Sequence, residues 1–286
     1  MNYKSKEKIG IIFGIIAYFS FSILDAIQKT AVIHYSIFQL LFIKYTFVLL
    51  LSLIEAKRAN NNNFYKSNNL KLQIVRSLLS ILESGFFVLS FKYLSLANAH
   101  SIGALAPIII VVLSVFILNE KVSIKTWIAI FVGFIGVLII IRPASDVFNI
   151  NSFIPLLAAF FLGLYQIATK KITEYDAPEV SLFYSSLVGI FITSIMAFNV
   201  WQPVDIKSLY FFLPIGLFFS LGIYFQIFAL KNARASIIQP FHYTLIFWAI
   251  IFGFFFYDDI PDLFTIIGAI IITTSGIFVI NQTSNK

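Results

Sequence analysis

Cysteine is absent from this 286-residue sequence, which excludes disulfide frameworks, thiolate metal sites and cysteine nucleophiles. Histidine occurs only as His34, His100 and His242, with neither HExxH spacing nor an adjoining carboxylate pair, so no metal site is expected. Charge is scarce as well. Asp, Glu, Lys and Arg make up 12% of residues, about half the share of an ordinary soluble domain. There is no GxSxG elbow, no phosphate-binding loop ending in Gly-Lys-Ser or Gly-Lys-Thr, and no pair of histidines or aspartates inside an apolar run. An intramembrane enzyme and direct coupling to ATP are therefore unsupported, and no cofactor is implied.

What is present is apolar. Hydrophobic residues account for 59% of the chain, more than a water-soluble fold of this length can cover with polar surface. Lipid accepts such side chains outside a helix as readily as inside. Ten runs reach the length of about 17–25 residues that spans a bilayer core: 9–28, 37–54, 72–92, 96–118, 124–141, 152–170, 180–198, 209–230, 235–257 and 263–280. They are continuous rather than alternating, which predicts helices, not barrel strands. The first run lacks a small-residue cleavage site and reads as a retained span.

The formal charge of +7 marks topology rather than a nucleic-acid surface, because the basic residues lie in short loops. With the N-terminus in the cytoplasm, one side collects Lys4, Lys6, Lys8, Lys57, Arg58, Lys66, Lys71, Lys121, Lys125, Lys170, Lys171, Lys231, Arg234 and Lys286. The other has only Lys29, Lys92, Arg142 and Lys207, with the acidic Asp258, Asp259 and Asp262. Both termini are thus expected in the cytoplasm of a bacterial inner-membrane protein. The polar stretch 55–71 is expected to be a flexible cytoplasmic loop.

The sequence also repeats itself. Ala97-Asn98-Ala99, the run ending at Asn119-Glu120 and Gly136-Val137 are echoed by Ala233-Arg234-Ala235, the run ending at Asp258-Asp259 and Gly276-Ile277. Gly14 to Lys29 can be laid on Pro155 to Lys170, with Asp25 opposite Gln166. Each half, 1–143 and 144–286, then holds five spans. Five is odd, so the second copy enters the membrane upside down, the arrangement of secondary carriers with a site near the midplane. The expected fold is an all-α integral membrane protein of ten transmembrane helices in two inverted five-helix repeats.

With these residues in view, the chain resembles the EamA-type family of the drug/metabolite transporter superfamily. The markers are Leu94 to Ala99 with Ala106-Pro107 and Asn119-Glu120, Gly133 to Pro143, Gln239-Pro240-Phe241-His242-Tyr243, Asp258 to Asp262, and Gly268 with Ser275-Gly276. The second half is also similar to importers of S-adenosylmethionine or riboflavin. The resemblance implies that the two proline-bearing spans line a central path, carrying Pro107, His242, Tyr243 and Trp248 into the expected substrate site. Lys44 departs from the arginine found in many relatives, so a bidentate anion contact there is not expected.

Charged side chains inside spans are costly, about 2.5–3.5 kcal/mol on insertion scales, and invite a functional reading. Four occur: Asp25, Lys44, Arg76 and Glu83. Asp25 and Lys44 fall roughly 6–10 Å inside the outer boundary on neighbouring helices, where they could form a structural ion pair or meet substrate. Arg76 could snorkel to headgroups or act in transport. Glu83, near the midplane, could bind a cation, carry a proton or be a structural hydrogen-bonded acid. Gln166, Tyr165, Tyr224 and Gln226 suit either interhelical bonds or substrate, whereas His100 is placed at the outer interface. The small residues, including Gly85, Gly103 and Gly133, are expected to let helices approach closely, and Glu120 and Asp258 to cap helix ends.

The expected function is a secondary transporter of a small organic metabolite working by alternating access, for example an importer of a nucleoside-like cofactor, a vitamin or an amino-acid derivative. An exporter of amino acids or drugs by proton antiport is the alternative, and a non-transporting scaffold or receptor a remote one. The expected partners are a small-molecule substrate, the bilayer and, if coupled, protons, with no nucleic acid.

Overall fold

The computed structural model describes residues 3–142, 150–258, 262–264, 266–268, 270–271, 274–275 and 278. These are helical and joined by turns, with no strand among the described residues. In chain order the helices are α1 (Tyr3–His34), α2 (Ile37–Arg58), α3 (Leu70–Ser90), α4 (Leu96–Gly103), α5 (Ala106–Ile117), α6 (Ile124–Ile141), α7 (Phe153–Ile172), α8 (Pro178–Ala197), α9 (Leu209–Asn232), α10 (Ala235–Ile238) and α11 (Thr244–Tyr257). Eight stretches are long and apolar enough to cross a membrane, and α6 contributes a shorter apolar segment, Ile124–Gly136. The tenth expected span, 263–280, lies in part outside the described residues.

Two of the eight stretches are broken where their prolines stand. Leu96–Ile117 divides into α4 and α5 just before Pro107, and Ala235–Tyr257 divides into α10 and α11 around a 3-10 turn, Gln239–Tyr243, that contains Pro240. Proline has no N–H to donate and clashes with the preceding turn. In lipid such a break survives only where protein or a cavity receives the freed groups.

Local signals set the other helix starts. Ser36, Asn69, Ser95 and Ser123 each accept an N–H three residues on, at 3.1–3.2 Å, a cap worth about 0.5–2 kcal/mol. Before α9, Asp205 accepts from the hydroxyl and amide of Ser208; these bonds hold its carboxyl below the ordinary range. Asn119 and Asp258 both adopt a left-handed conformation, ending the two broken spans in the same way. Asn and Asp tolerate that region better than other side chains with a Cβ.

The helices pair across the molecule rather than along the chain: α1 lies against α9, α2 against α8 and α3 against α7. Small residues allow the contacts. A Cβ on Gly189 of α8 would fall 2.2 Å from the Tyr45 ring of α2, and one on Gly222 of α9 would fall 2.4 Å from the Phe21 ring of α1. Buried hydroxyls such as Ser52, Ser77 and Thr193 donate to carbonyls one turn back, satisfying themselves without a partner helix. Large apolar side chains, Phe116, Phe191 and Phe255 among them, face outward, as a lipid-facing surface permits.

The connection after α2, expected to be flexible, is tied down. Ser67 and the Asn68 amide donate to Asp176, Asn61 donates to Glu179 at 2.8 Å, and Tyr184 donates to the Tyr65 carbonyl at 2.7 Å. The signal missed was its wealth of Asn and Ser, side chains that bond loop backbone and acids well.

Candidate functional site

Between the helix pairs lies a central cavity of about 80 Å³, lined by α1, α2, α3, α4, α7, α9, the 3-10 turn and α11. A single water needs roughly 10–15 Å³ of such space, so the cavity has room for several. Both proline-broken spans reach it, through His100 and Gly103 on one and His242 and Leu245 on the other.

One end is charged. Asp25 of α1, Lys44 of α2 and Glu83 of α3 all line the cavity. The expected Asp25–Lys44 pairing is not a direct contact. The Lys44 ammonium donates to Ser84 Oγ at 2.7 Å and lies 4.5 Å from the centre of the Phe219 ring, a cation–π geometry. Asp25 instead accepts from Gln28 at 3.0 Å and faces His100 Nε2 at 3.4 Å. Glu83 keeps part of its surface accessible and has no hydrogen-bond partner among the described residues. A carboxylate held this way in a cavity is available to a ligand or a proton.

The other end is made of amides. Gln166 of α7 accepts from Gln226 of α9 at 3.2 Å and from Gln239 at 2.8 Å, bonds between separate segments that leave these residues open to substrate as well. Gln166 and Gln226 also line the cavity, with Tyr18 and His242 beside them; the His242 ring meets Tyr18 edge-on at 5.2 Å.

The remaining expected site residues stand outside the cavity lining. Tyr243 is buried with its ring against Gly133, where a Cβ would come within 3.0 Å. Pro107 is buried at the start of α5. Trp248 packs on Phe19 at 4.8 Å. Tyr224 donates to Glu55 at 3.2 Å, joining α9 to α2. Arg76 is wholly buried and does not snorkel; it donates to the Ser181 carbonyl, to Ser185 at 2.7 Å and to Gln73 at 3.3 Å. It thereby fastens α3 to α8.

Sequence reading missed His100 and Tyr18. His100 lies near the start of an apolar run, which suggested the interface, yet it is buried against Asp25. The usable signal was Pro107, ahead of which the short α4 turns His100 and Gly103 into the cavity. Tyr18 offered no signal, since a tyrosine in a span ordinarily marks nothing by itself.

On the side of the molecule bearing the start of α1, polar contacts close helix ends against one another. Glu120 accepts from the Ala235 and Ser236 amides at 3.0 and 3.1 Å, capping α10. Arg234 reaches Glu7 at 3.3 Å and the Lys121 carbonyl at 3.2 Å. Lys170 donates to the Leu230 and Ala233 carbonyls at 2.7 and 3.0 Å, where cations suit the end of a helix.

The chain matches the EamA-like transporter family over residues 8–142 and again over 150–282. It is 31% identical to an uncharacterized transporter of Helicobacter pylori, over 94% of this chain and 95% of that protein. It is 27% identical to an S-adenosylmethionine uptake transporter of Rickettsia bellii over 76% of each chain, and 23% identical to a riboflavin transporter of Vibrio cholerae over 100% of this chain and 97% of the relative. A crystal structure 13% identical in sequence superposes with a TM-score of 0.77, covering 96% of this chain and 98% of that one; this likeness shows the fold alone.

Proposed function

Because the chain belongs to the EamA-like transporter family, and is a multi-pass membrane transporter rather than an enzyme, we propose that it imports a small organic metabolite by alternating access around the central cavity. The observation that carries this reading is the cavity itself: it lies between cross-molecule helix pairs, is charged by Asp25, Lys44 and Glu83, and is reached by both proline-broken spans. Paired broken helices in corresponding places are the usual pointer to a transport site.

In this reading the architecture is ten spans in two inverted repeats, 1–143 and 144–286, with both termini in the cytoplasm of the inner membrane. Three features support it. A two-fold axis exchanging α1 with α7 and α3 with α9 turns the α1–α9 pair into the α7–α3 pair and keeps α2 against α8, which is the observed pairing. The broken spans correspond under the same exchange. Their ends carry the left-handed Asn119 and Asp258. The cytoplasmic side is the capped one, with Glu120, Arg234 and Lys170.

Substrates of the S-adenosylmethionine or riboflavin kind are favoured by the relatives' names and by a cavity with one charged and one amide-lined end. The experiment is flux of radiolabelled S-adenosylmethionine and of riboflavin into proteoliposomes. Saturable uptake of either supports the reading, and absence of both in folded protein rejects it. Proton antiport is the second reading, favoured by the Asp25–His100 contact and by Glu83 in the cavity; flux that responds to an imposed pH gradient would select it.

A further inference from the structure

Five side chains gather where α7 and α9 approach the closed side: Tyr18, Gln166, Gln226, Gln239 and His242, each no more than 6% exposed. Their hydrogen bonding does not close. Gln226 and Gln239 both donate to Gln166 Oε1, which uses the two lone pairs of that oxygen. Among the described residues the carbonyl oxygens of Gln226 and Gln239 then accept nothing, and the Gln166 amide nitrogen finds no acceptor. The Tyr18 hydroxyl lies beside all three amides without a well-formed hydrogen bond among the described residues, and His242 Nδ1 has no partner among them either.

Buried polar atoms without partners are rare in folded proteins, and each asks for an explanation. Four of them in one place, on side chains that line or back one cavity, point to an occupant. The amides define its chemistry. As placed they leave two acceptors and one donor unmatched. Turning all three over together would leave two donors and one acceptor unmatched instead. Either way, the complementary edge carries a donor and an acceptor side by side. An ammonium offers only donors and a carboxylate only acceptors, so neither satisfies it. Phe21, one turn beyond Tyr18, and Leu245, beyond His242, supply apolar lining for the face of a ring.

We propose that Tyr18, Gln166, Gln226 and Gln239 form a subsite for the hydrogen-bonding edge of a planar nitrogen heterocycle, an aminopurine or the imide edge of a flavin. The inference rests on the cavity's being the transport site. It places the heterocycle at the amide end and leaves Asp25, Lys44 and Glu83 for the charged or polar tail.

The test uses two matched pairs of probes on the full-length protein in detergent, titrated by thermal shift. Adenosine is compared with purine riboside, which lacks the amino group, and riboflavin with 3-methylriboflavin, whose imide N–H is blocked. In at least one pair the intact edge should bind roughly 10–100-fold more tightly, and Gln226→Leu and Gln239→Leu should each remove most of that difference. Equal affinities within both pairs, no response to any probe, or discrimination that survives in both variants would overturn the subsite and leave the amides to water. The wild-type comparison needs no variant, so a poorly folded mutant does not decide the matter. Edge discrimination without flux would overturn the transport reading alone; flux indifferent to the edge would overturn the subsite alone.

Discussion

His100 Nε2 stands 3.4 Å from Asp25 Oδ2, both side chains buried and both lining the central cavity. The contact joins α1 to the short helix ahead of the first proline break, so a change at either residue is felt by the other. Asp25→Asn and His100→Gln should each lower uptake. The double variant should lose less than the two effects added, because residues in direct contact couple by about 0.5–3 kcal/mol. Initial rates in proteoliposomes measure the cycle, and strictly additive losses would count against a working pair.

Glu83 is the cavity carboxylate without a hydrogen-bond partner among the described residues. Glu83→Gln keeps the shape and removes the charge, and should abolish or sharply reduce uptake while leaving folded protein in the membrane. Flux undiminished at every pH tested would remove Glu83 from the site.

Arg76 is buried and bonded to α8 and does not itself line the cavity; its guanidinium lies 5.8 Å from the ring of Tyr165, which does, and its Nη1 has no partner among the described residues. Arg76→Met should cost about 1.5–3 kcal/mol of stability, the worth of a bond made by a charged donor, and lower the melting temperature in detergent. The KM of the protein that remains folded should hold. A tenfold rise in KM with unchanged melting would move Arg76 onto the substrate path.

The Glu120 carboxylate caps α10 across the closed side. Glu120→Ala should weaken that closure by about 0.5–2 kcal/mol, the usual worth of a cap, and make the cavity more accessible from the side bearing the N-terminus. The natural absence of cysteine makes the measurement direct. A single Leu245→Cys, inside the cavity, should react with a membrane-impermeant maleimide about 2- to 30-fold faster once Glu120 is removed. An unchanged rate would show that the cap does not hold the gate.

Much of this was legible in the chain. Apolar run length fixed where spans fall, since lipid forces each backbone group to bond within its own segment. Pro107 and Pro240, which cannot donate within a helix, singled out two spans, though that these divide into separate helices came from the structure. Asp25, Lys44 and Glu83 stood out because charge inside an apolar run has a cost that something must offset. The partners chosen by those groups were not legible. Lys44 prefers Ser84 and the Phe219 ring, Arg76 reaches α8, and Tyr243 packs on Gly133; each choice depends on how two distant helices rotate about their axes.

By itself, then, the sequence determined a multi-span helical membrane protein with two proline-bearing spans and charge within its apolar runs, because these are local consequences of hydropathy and backbone chemistry. Only the tertiary structure decided that α1 meets α9 and α3 meets α7, that His100 rather than Lys44 faces Asp25, and that three glutamines from separate segments converge. The physical reason is that helix-to-helix registry depends on close contacts such as Tyr45 against Gly189, which join residues far apart in the chain and leave no periodic trace along it.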